Sequence, residues 1–310
     1  MNTRNEDDLR RIMYTNHDNC IICNHRFQDC ENVSVGFDEK NNPLITCEKC
    51  SINIDPDAIS VYSFTERHYK IPNFESTLWR YMDFSKYMSL LTTRSLYFAR
   101  ADTFEDPYEG AFGSLENKEI WENLHKEQFN EILKNPIMSK EVNINCESNR
   151  LINDLLELNK MIKKKWFISC WHENSYESEA MWRLYSSFFA NAIAIKTTFR
   201  HLYDSLGRDI NIEIGKIEYI DYKKNFAPVN GVFWRKRKSF EHEKEVRAMF
   251  FDMNENSFGK LIPCDLNILI QEVYISPSAP SWFKKLIEDV NLKFELNAKI
   301  VQSDLNSPCF

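Results

Sequence analysis

Glycine is scarce, with seven in 310 residues. Phosphate-cradling loops, dinucleotide fingerprints and nucleophile elbows all need glycine at fixed spacing, and none of those patterns occurs. Nothing approaches the roughly eighteen consecutive apolar residues of a membrane-spanning helix, so no membrane partner is expected. The opening "MNTRNEDDLRR" is charged throughout and lacks the apolar core of a secretory signal, which makes cytoplasmic the expected location. An excess of positive charge is missing too. Net charge is −7 and the pI about 5.6, which excludes a globally basic nucleic-acid coat and leaves room only for a local patch.

What is present is apolar: 43% of residues are hydrophobic and 14% aromatic, enough for a large core and too much for a disordered chain. The length suits one large domain with a small one, or two of medium size. Nine cysteines in a reducing compartment need an explanation other than disulfides. Cys30, Cys146, Cys170, Cys264 and Cys309 are scattered and read as incidental or buried thiols. The rest are paired, as Cys20-x-x-Cys23 and Cys47-x-x-Cys50. Two such knuckles complete a tetrahedral zinc site, and "NVSVGFDEKNNPLIT" between them alternates around a polar turn as a hairpin does. Knuckle, hairpin, knuckle is the plan of a zinc ribbon or treble clef. His17, His25 and Cys30 lie near enough to replace one ligand. No histidine follows Cys30 before the second knuckle, which argues against a nuclease centre here and for a closed structural zinc.

Further along, "TLWRYM" and "SLYFAR" read as strands, with "DFSKYMSLLTT" between them as a helix capped by Asp83 or Ser85. "WFISCW", "NAIAIKTTF", "IEIGKIEYID", the stretch from Val246, "LIQEVYIS" and "NAKIVQS" read as further strands. "SYESEAMWRLYSSF", "RHLYDSL" and "PSWFKKLIEDVN" read as helices. The expectation is an α+β fold with a mostly antiparallel sheet core and flanking helices. Residues 1–55 form a zinc module, 56–75 a linker and 76–310 the α+β domain, into which 116–165 inserts a pair of helices.

One residue in this pattern needs a reason. Arg80 sits in an apolar strand, and a buried arginine requires a negative partner or ligand. The blocks "LWRYMDFSKYMSLLTTRSLYFARADTFEDPYEG", "FISCWHENSYESEAMWRLYS" and "FEHEKEVRAMFF" resemble a widespread bacterial family of unknown function with a Phe-x-Asp-Pro-x-Glu turn, a Cys-Trp strand before a Trp-x-x-Tyr helix, and a Glu-x-Glu-x-Arg block. The likeness spans roughly Leu78 to Phe251. More remotely, the same blocks resemble ADP-ribosyltransferases, which implies a toxin-like effector of anti-phage or stress defence with NAD as substrate. The resemblance implies Arg80 on the first strand, Ser169 in the middle (with Tyr176 or Tyr185 as substitutes), and Glu243 and Glu245 in the closing block.

The chemistry fits those residue types. Breaking the nicotinamide–ribose bond creates an oxocarbenium-like centre, which an anion such as Glu245 stabilises. Glu243 orients or deprotonates the acceptor. Arg80 clamps the dinucleotide phosphate or ribose, and Tyr97, Phe98 or Trp171 stacks on nicotinamide. His172 and Tyr185 complete the binding set. Other readings remain at this stage. Glu245 and Arg247 can be ion-pair partners at the edge of a core. Arg80 can pair with Asp106 or Glu109, and Asp106, Glu109 and His172 suit a nuclease or other hydrolase. Trp182 and Tyr185, three apart on a helix, suit a core. Arg235, Lys236, Arg237 and Lys238 form a basic run that can meet phosphates, with Trp234 and Phe240 placed to stack on bases. That run makes a zinc-dependent, non-enzymatic nucleic-acid or protein-binding module the alternative. The ADP-ribose acceptor (protein, DNA, RNA or water) and any inhibitory or sensor partner are left open.

Overall fold

The structure is a computed structural model that describes residues 18–37, 43–52, 54, 59–64, 67–134, 144–185, 191–209, 211–305, 307 and 309. His17 and the polar turn at 38–42 lie outside them.

The amino-terminal unit is a three-stranded antiparallel sheet. Strand β1 (Asn32–Phe37) is central, flanked by β2 (Pro43–Cys47) and β3 (Ser60–Ser63). Alternation puts Val33, Val35 and Ile45 inside with Phe27, Cys20 and Cys47, a small core of its own. A short helix, α1 (Glu48–Ser51), carries Cys50 back over that core. The segment expected to be a linker therefore supplies a strand to this sheet. It then docks on the second unit, where Tyr69 stacks on Trp234 at 4.0 Å and Lys70 bridges Lys216.

The second unit is built on a nine-stranded sheet that is mostly antiparallel. Its strands are β4 (Thr77–Asp83), β5 (Ser95–Arg100), β6 (Trp166–Glu173), β7 (Ala192–Thr198), β8 (Glu213–Lys216), β11 (Glu245–Phe251), β12 (Gly259–Pro263), β13 (Glu272–Ile275) and β14 (Lys299–Gln302). The α+β class is as expected. Helix α2 (Phe84–Thr93) joins β4 to β5, with Asp83 at its N-cap position and Arg94 in left-handed conformation ending it. Helices α3 (Lys118–Leu133) and α4 (Ile144–Lys163) are the expected helical pair, and they bury Trp121 and Ile152 on one face of the sheet. The opposite face packs on α6 (Phe199–Ser205), α7 (Leu266–Leu269) and α8 (Ser281–Lys293) through Phe199, Leu269, Phe283 and Ile287.

One reading of a strand fails. "IEIGKIEYID" is two strands, not one: β8 ends at Lys216, and β9 (Glu218–Ile220) turns away to pair in parallel with β10 (Arg235–Arg237). Ile217 is the break, its amide bonded to Glu245 O at 2.9 Å.

Strand β6 is where the sheet opens. Along one edge β11 matches it from Trp166 to His172. The other edge is divided between β5, which pairs at Phe167 and Ile168, and β4, which pairs at His172 and Glu173. Between those two pairings, at Ser169–Trp171, the sheet is split. Arg80 of β4 fills the split: Nη1 donates to Ser169 Oγ at 2.7 Å and Nη2 to Tyr97 O at 3.2 Å.

Candidate active site

A cleft of about 460 Å³ opens beside the split. Helix α5 (Glu179–Tyr185), which follows β6, forms part of its wall through Met181 and Tyr185. Of the residues singled out from sequence, Arg80, Tyr97, Trp171, His172, Tyr185, Glu243 and Glu245 all line this cleft. They come from strands far apart in the chain, so their meeting is a product of the fold.

Strand alternation decides which face each residue serves. On β6, Cys170 and His172 face one way and Phe167, Ser169 and Trp171 the other. Glu245 of β11 lies directly opposite His172, and Arg247 opposite Cys170. The cleft is thus lined from one face by His172 and Glu245, and through the split by Arg80 and Trp171. Phe98 cannot stack on a ligand there. It is fully buried on the far face against Phe250. Ser169 is also buried, and it serves as the hydrogen-bond partner of Arg80. Tyr176 lies on the surface, away from the cleft lining. Trp182 is core, as its helical spacing suggests, whereas Tyr185 reaches the cleft and donates its hydroxyl to Glu243 Oε1 at 3.0 Å.

The acids form a buried, alternating array. Arg247, with no exposed surface, meets Glu109 in a two-pronged pair at 2.6 and 2.8 Å and also donates to Glu245 Oε1 at 2.7 Å. Lys236 bridges the other carboxylate oxygens, contacting Glu245 Oε2 at 3.1 Å and Glu243 Oε2. The order is Glu109, Arg247, Glu245, Lys236, Glu243. Burial by itself would raise the Glu245 pKa, but the Arg247 and Lys236 charges outweigh it and hold the group at about 2. On Lys236, burial works to lower the pKa, and the glutamates overcome it to leave a net rise. Tyr219 Oη accepts the Glu245 amide at 2.7 Å, fixing the start of β11. Between the two glutamates, Lys244 takes a left-handed conformation (φ 39°), which lets both side chains turn inward while its own stays exposed.

Arg80 is the contrast. Neither Asp106 nor Glu109 is its partner, since Asp106 pairs with Arg237 at 2.7 Å and Glu109 with Arg247. Among the described residues no carboxylate forms an ion pair with Arg80, and desolvation pulls its pKa down. Two buried nitrogens beside it are likewise without a hydrogen-bond partner among the described residues: Trp171 Nε1 and His172 Nε2. His172 Nδ1 faces Glu243 O at 2.5 Å, and a carbonyl can only accept, so Nδ1 carries the proton and Nε2 holds the lone pair. Burial lowers the His172 pKa and favours that neutral form.

The basic run does not form a strip. Within β10 the side chains alternate. Lys236 points inward to the acids, Arg235 pairs with Glu218 at 3.0 Å, and Arg237 lies over Tyr108 and Phe240 while pairing with Asp106. Lys238 is exposed. Trp234 is buried under Tyr69 and cannot stack on a base.

Remote from the cleft, the Sγ atoms of Cys20, Cys23, Cys47 and Cys50 lie within 4.8 Å of one another, a set that can hold a metal ion such as zinc. The Cys23–Cys47 separation is 3.7 Å, close to the edge of about 3.8 Å expected for a tetrahedron with zinc–sulfur bonds of about 2.3 Å. His25 is engaged by Glu31 at 3.0 Å, and Cys30 is exposed and outside the cluster.

No protein-family model matches the chain, and no curated protein matches it. No described helix is long and apolar enough to cross a membrane.

Proposed function

We propose that the cleft takes NAD and breaks the bond between its nicotinamide and ribose, passing ADP-ribose to an acceptor or to water. The observation that carries this reading is the polarity of the cleft. Arg80 brings to it a guanidinium that forms no ion pair with a carboxylate among the described residues, Glu245 brings a carboxylate held ionised by Arg247 and Lys236, and Glu243, Tyr97 and Trp171 line the same cleft. A dinucleotide with an anionic pyrophosphate and a cationic pyridinium ring matches that arrangement. Arg80 would hold the phosphate or ribose. An aromatic face would take the pyridinium. As nicotinamide leaves as a neutral molecule, positive charge gathers on the ribose ring, where the fixed Glu245 carboxylate would stabilise it. Collapse with an acceptor hydroxyl then forms the new bond and releases a proton.

NAD consumption of this kind would suit a toxin-like effector in anti-phage or stress defence. For the cysteine cluster we propose a closed structural zinc, since four thiolates leave no open position for chemistry. The decisive experiment incubates the protein with NAD and follows free nicotinamide. Release at a rate proportional to protein supports the reading, and no release with water, protein or nucleic acid as acceptor removes it.

A further inference from the structure

Lys236 has a buried position that a basic surface run does not explain. Its ammonium is shared between two carboxylates, both themselves buried and both lining the cleft. Strand β10 is only three residues long and pairs with β9 alone, so its placement delivers this one side chain inward while its neighbours turn to other partners. Two glutamates sharing one cation cannot both stay ionised at full strength once that cation is gone, because like charges at close range raise each other's pKa. At the far end of the array Arg247 is already committed to Glu109. Counting Glu109, Arg247, Glu245, Lys236 and Glu243 as charged, the array carries three negative and two positive charges, and two of its three acids, Glu243 and Glu245, line the cleft.

We infer that Lys236 is a positioning residue for the reaction proposed above, holding Glu245 and Glu243 ionised and aligned so that the array presents negative charge to the ribose ring as nicotinamide departs. This role rests on the NAD reading of the cleft. It names neither a second ligand nor a new step. Lys236 touches the acids and is not among the residues lining the cleft, so it acts through their charge.

The test follows nicotinamide release as a function of pH in wild type, Lys236→Met, Lys236→Arg and Glu243→Gln. Groups that face the two acids from packed elements are Arg247 on β11, Cys170 and His172 on β6, Tyr219 on β9 and Tyr185 on α5, with His242 and Lys244 adjacent in the chain. None of them is changed, so a shift reports the loss of the shared cation. In Lys236→Met kcat should fall at least tenfold, and the acidic limb of the rate profile should move to higher pH, because Glu245 then protonates sooner as pH falls. Lys236→Arg should restore the limb and most of kcat. Glu243→Gln leaves Lys236 wholly to Glu245 and should not move the limb upward, which keeps the role testable even if Lys236→Met does not fold. A Lys236→Met enzyme with an unmoved limb, or a Glu243→Gln enzyme whose limb rises, overturns the role while leaving the NAD reading intact. A wild type that releases no nicotinamide overturns both.

Discussion

Arg80 and Glu245 separate a ligand-binding cleft from an ion-paired core because the structure gives them opposite surroundings. Among the described residues, removing Arg80 breaks no salt bridge; it removes bonds to Ser169 Oγ and Tyr97 O and the contact of the guanidinium with the Trp171 ring. Arg80→Ala should therefore change the melting temperature little, while NAD affinity, measured by calorimetry, drops by tenfold or more as the phosphate partner is lost. A large loss of stability with unchanged affinity would return Arg80 to the structural reading. Glu245→Gln is less gentle. It leaves Arg247 and Lys236 each short of a charge in a buried setting, where breaking a pair costs about 3–5 kcal/mol. Stability should fall, and on the protein that remains folded turnover should fall by about a hundredfold or more with NAD binding little altered. Both residues were legible from sequence, since an arginine in an apolar strand and a Glu-x-Glu pair are anomalies that propensity does not produce. The partners were not legible. Whether Glu109 meets Arg80 or Arg247 depends on where the turn at 104–110 lies against β11, and no local pattern encodes that distance.

At the scale of elements, parity was the information the sequence held without displaying. The strand at β5 was evident from "SLYFAR", yet which of Tyr97 and Phe98 faces the cleft follows only once the sheet's two faces are assigned. The same holds at β10, where Arg235, Lys236 and Arg237 look alike until alternation turns Lys236 inward. The turn "TFEDPYEG" shows how an element serves the array. Gly110 has φ +69°, and a Cβ there would lie 2.7 Å from Phe233 Cε1. Phe233 O in turn accepts from Arg247 at 2.7 Å, so the turn, the ring and the arginine are packed as a group. Gly110→Ala should cost about 1–3 kcal/mol through left-handed strain and overpacking, read from urea unfolding. Because Glu109 is the neighbouring residue, the same variant should also weaken catalysis more than an equally destabilising change in α8, which lies away from the array. Equal effects of the two on nicotinamide release per folded molecule would disconnect the turn from the site.

The whole molecule joins two units, the three-stranded sheet that carries the cysteines and the nine-stranded sheet. Composition changes near Ser76, but pairing decides the boundary: Ser60–Ser63 completes the cysteine unit's sheet, and the chain docks on the larger unit from Tyr69 onward. Gly215 makes that docking possible, since a Cβ there would lie 2.2 Å from Tyr69 Cδ2. A truncation that begins at residue 56 would thus carry an unpaired edge strand into solution, and such strands promote association. One that begins at residue 67 keeps Tyr69 on Trp234 and removes the cysteine unit whole. The shorter chain should stay monodisperse, melt cooperatively and keep whatever nicotinamide-releasing activity the full chain has, whereas the chain starting at residue 56 should aggregate more readily in light scattering. In the full protein, elemental analysis should find one zinc per chain, and a chelator should remove it with loss of structure confined to the amino-terminal unit, since a core of a few side chains there has little else to hold it. Loss of structure in the nine-stranded unit on chelation, or collapse of the chain starting at residue 67, would mean that the two units fold as one.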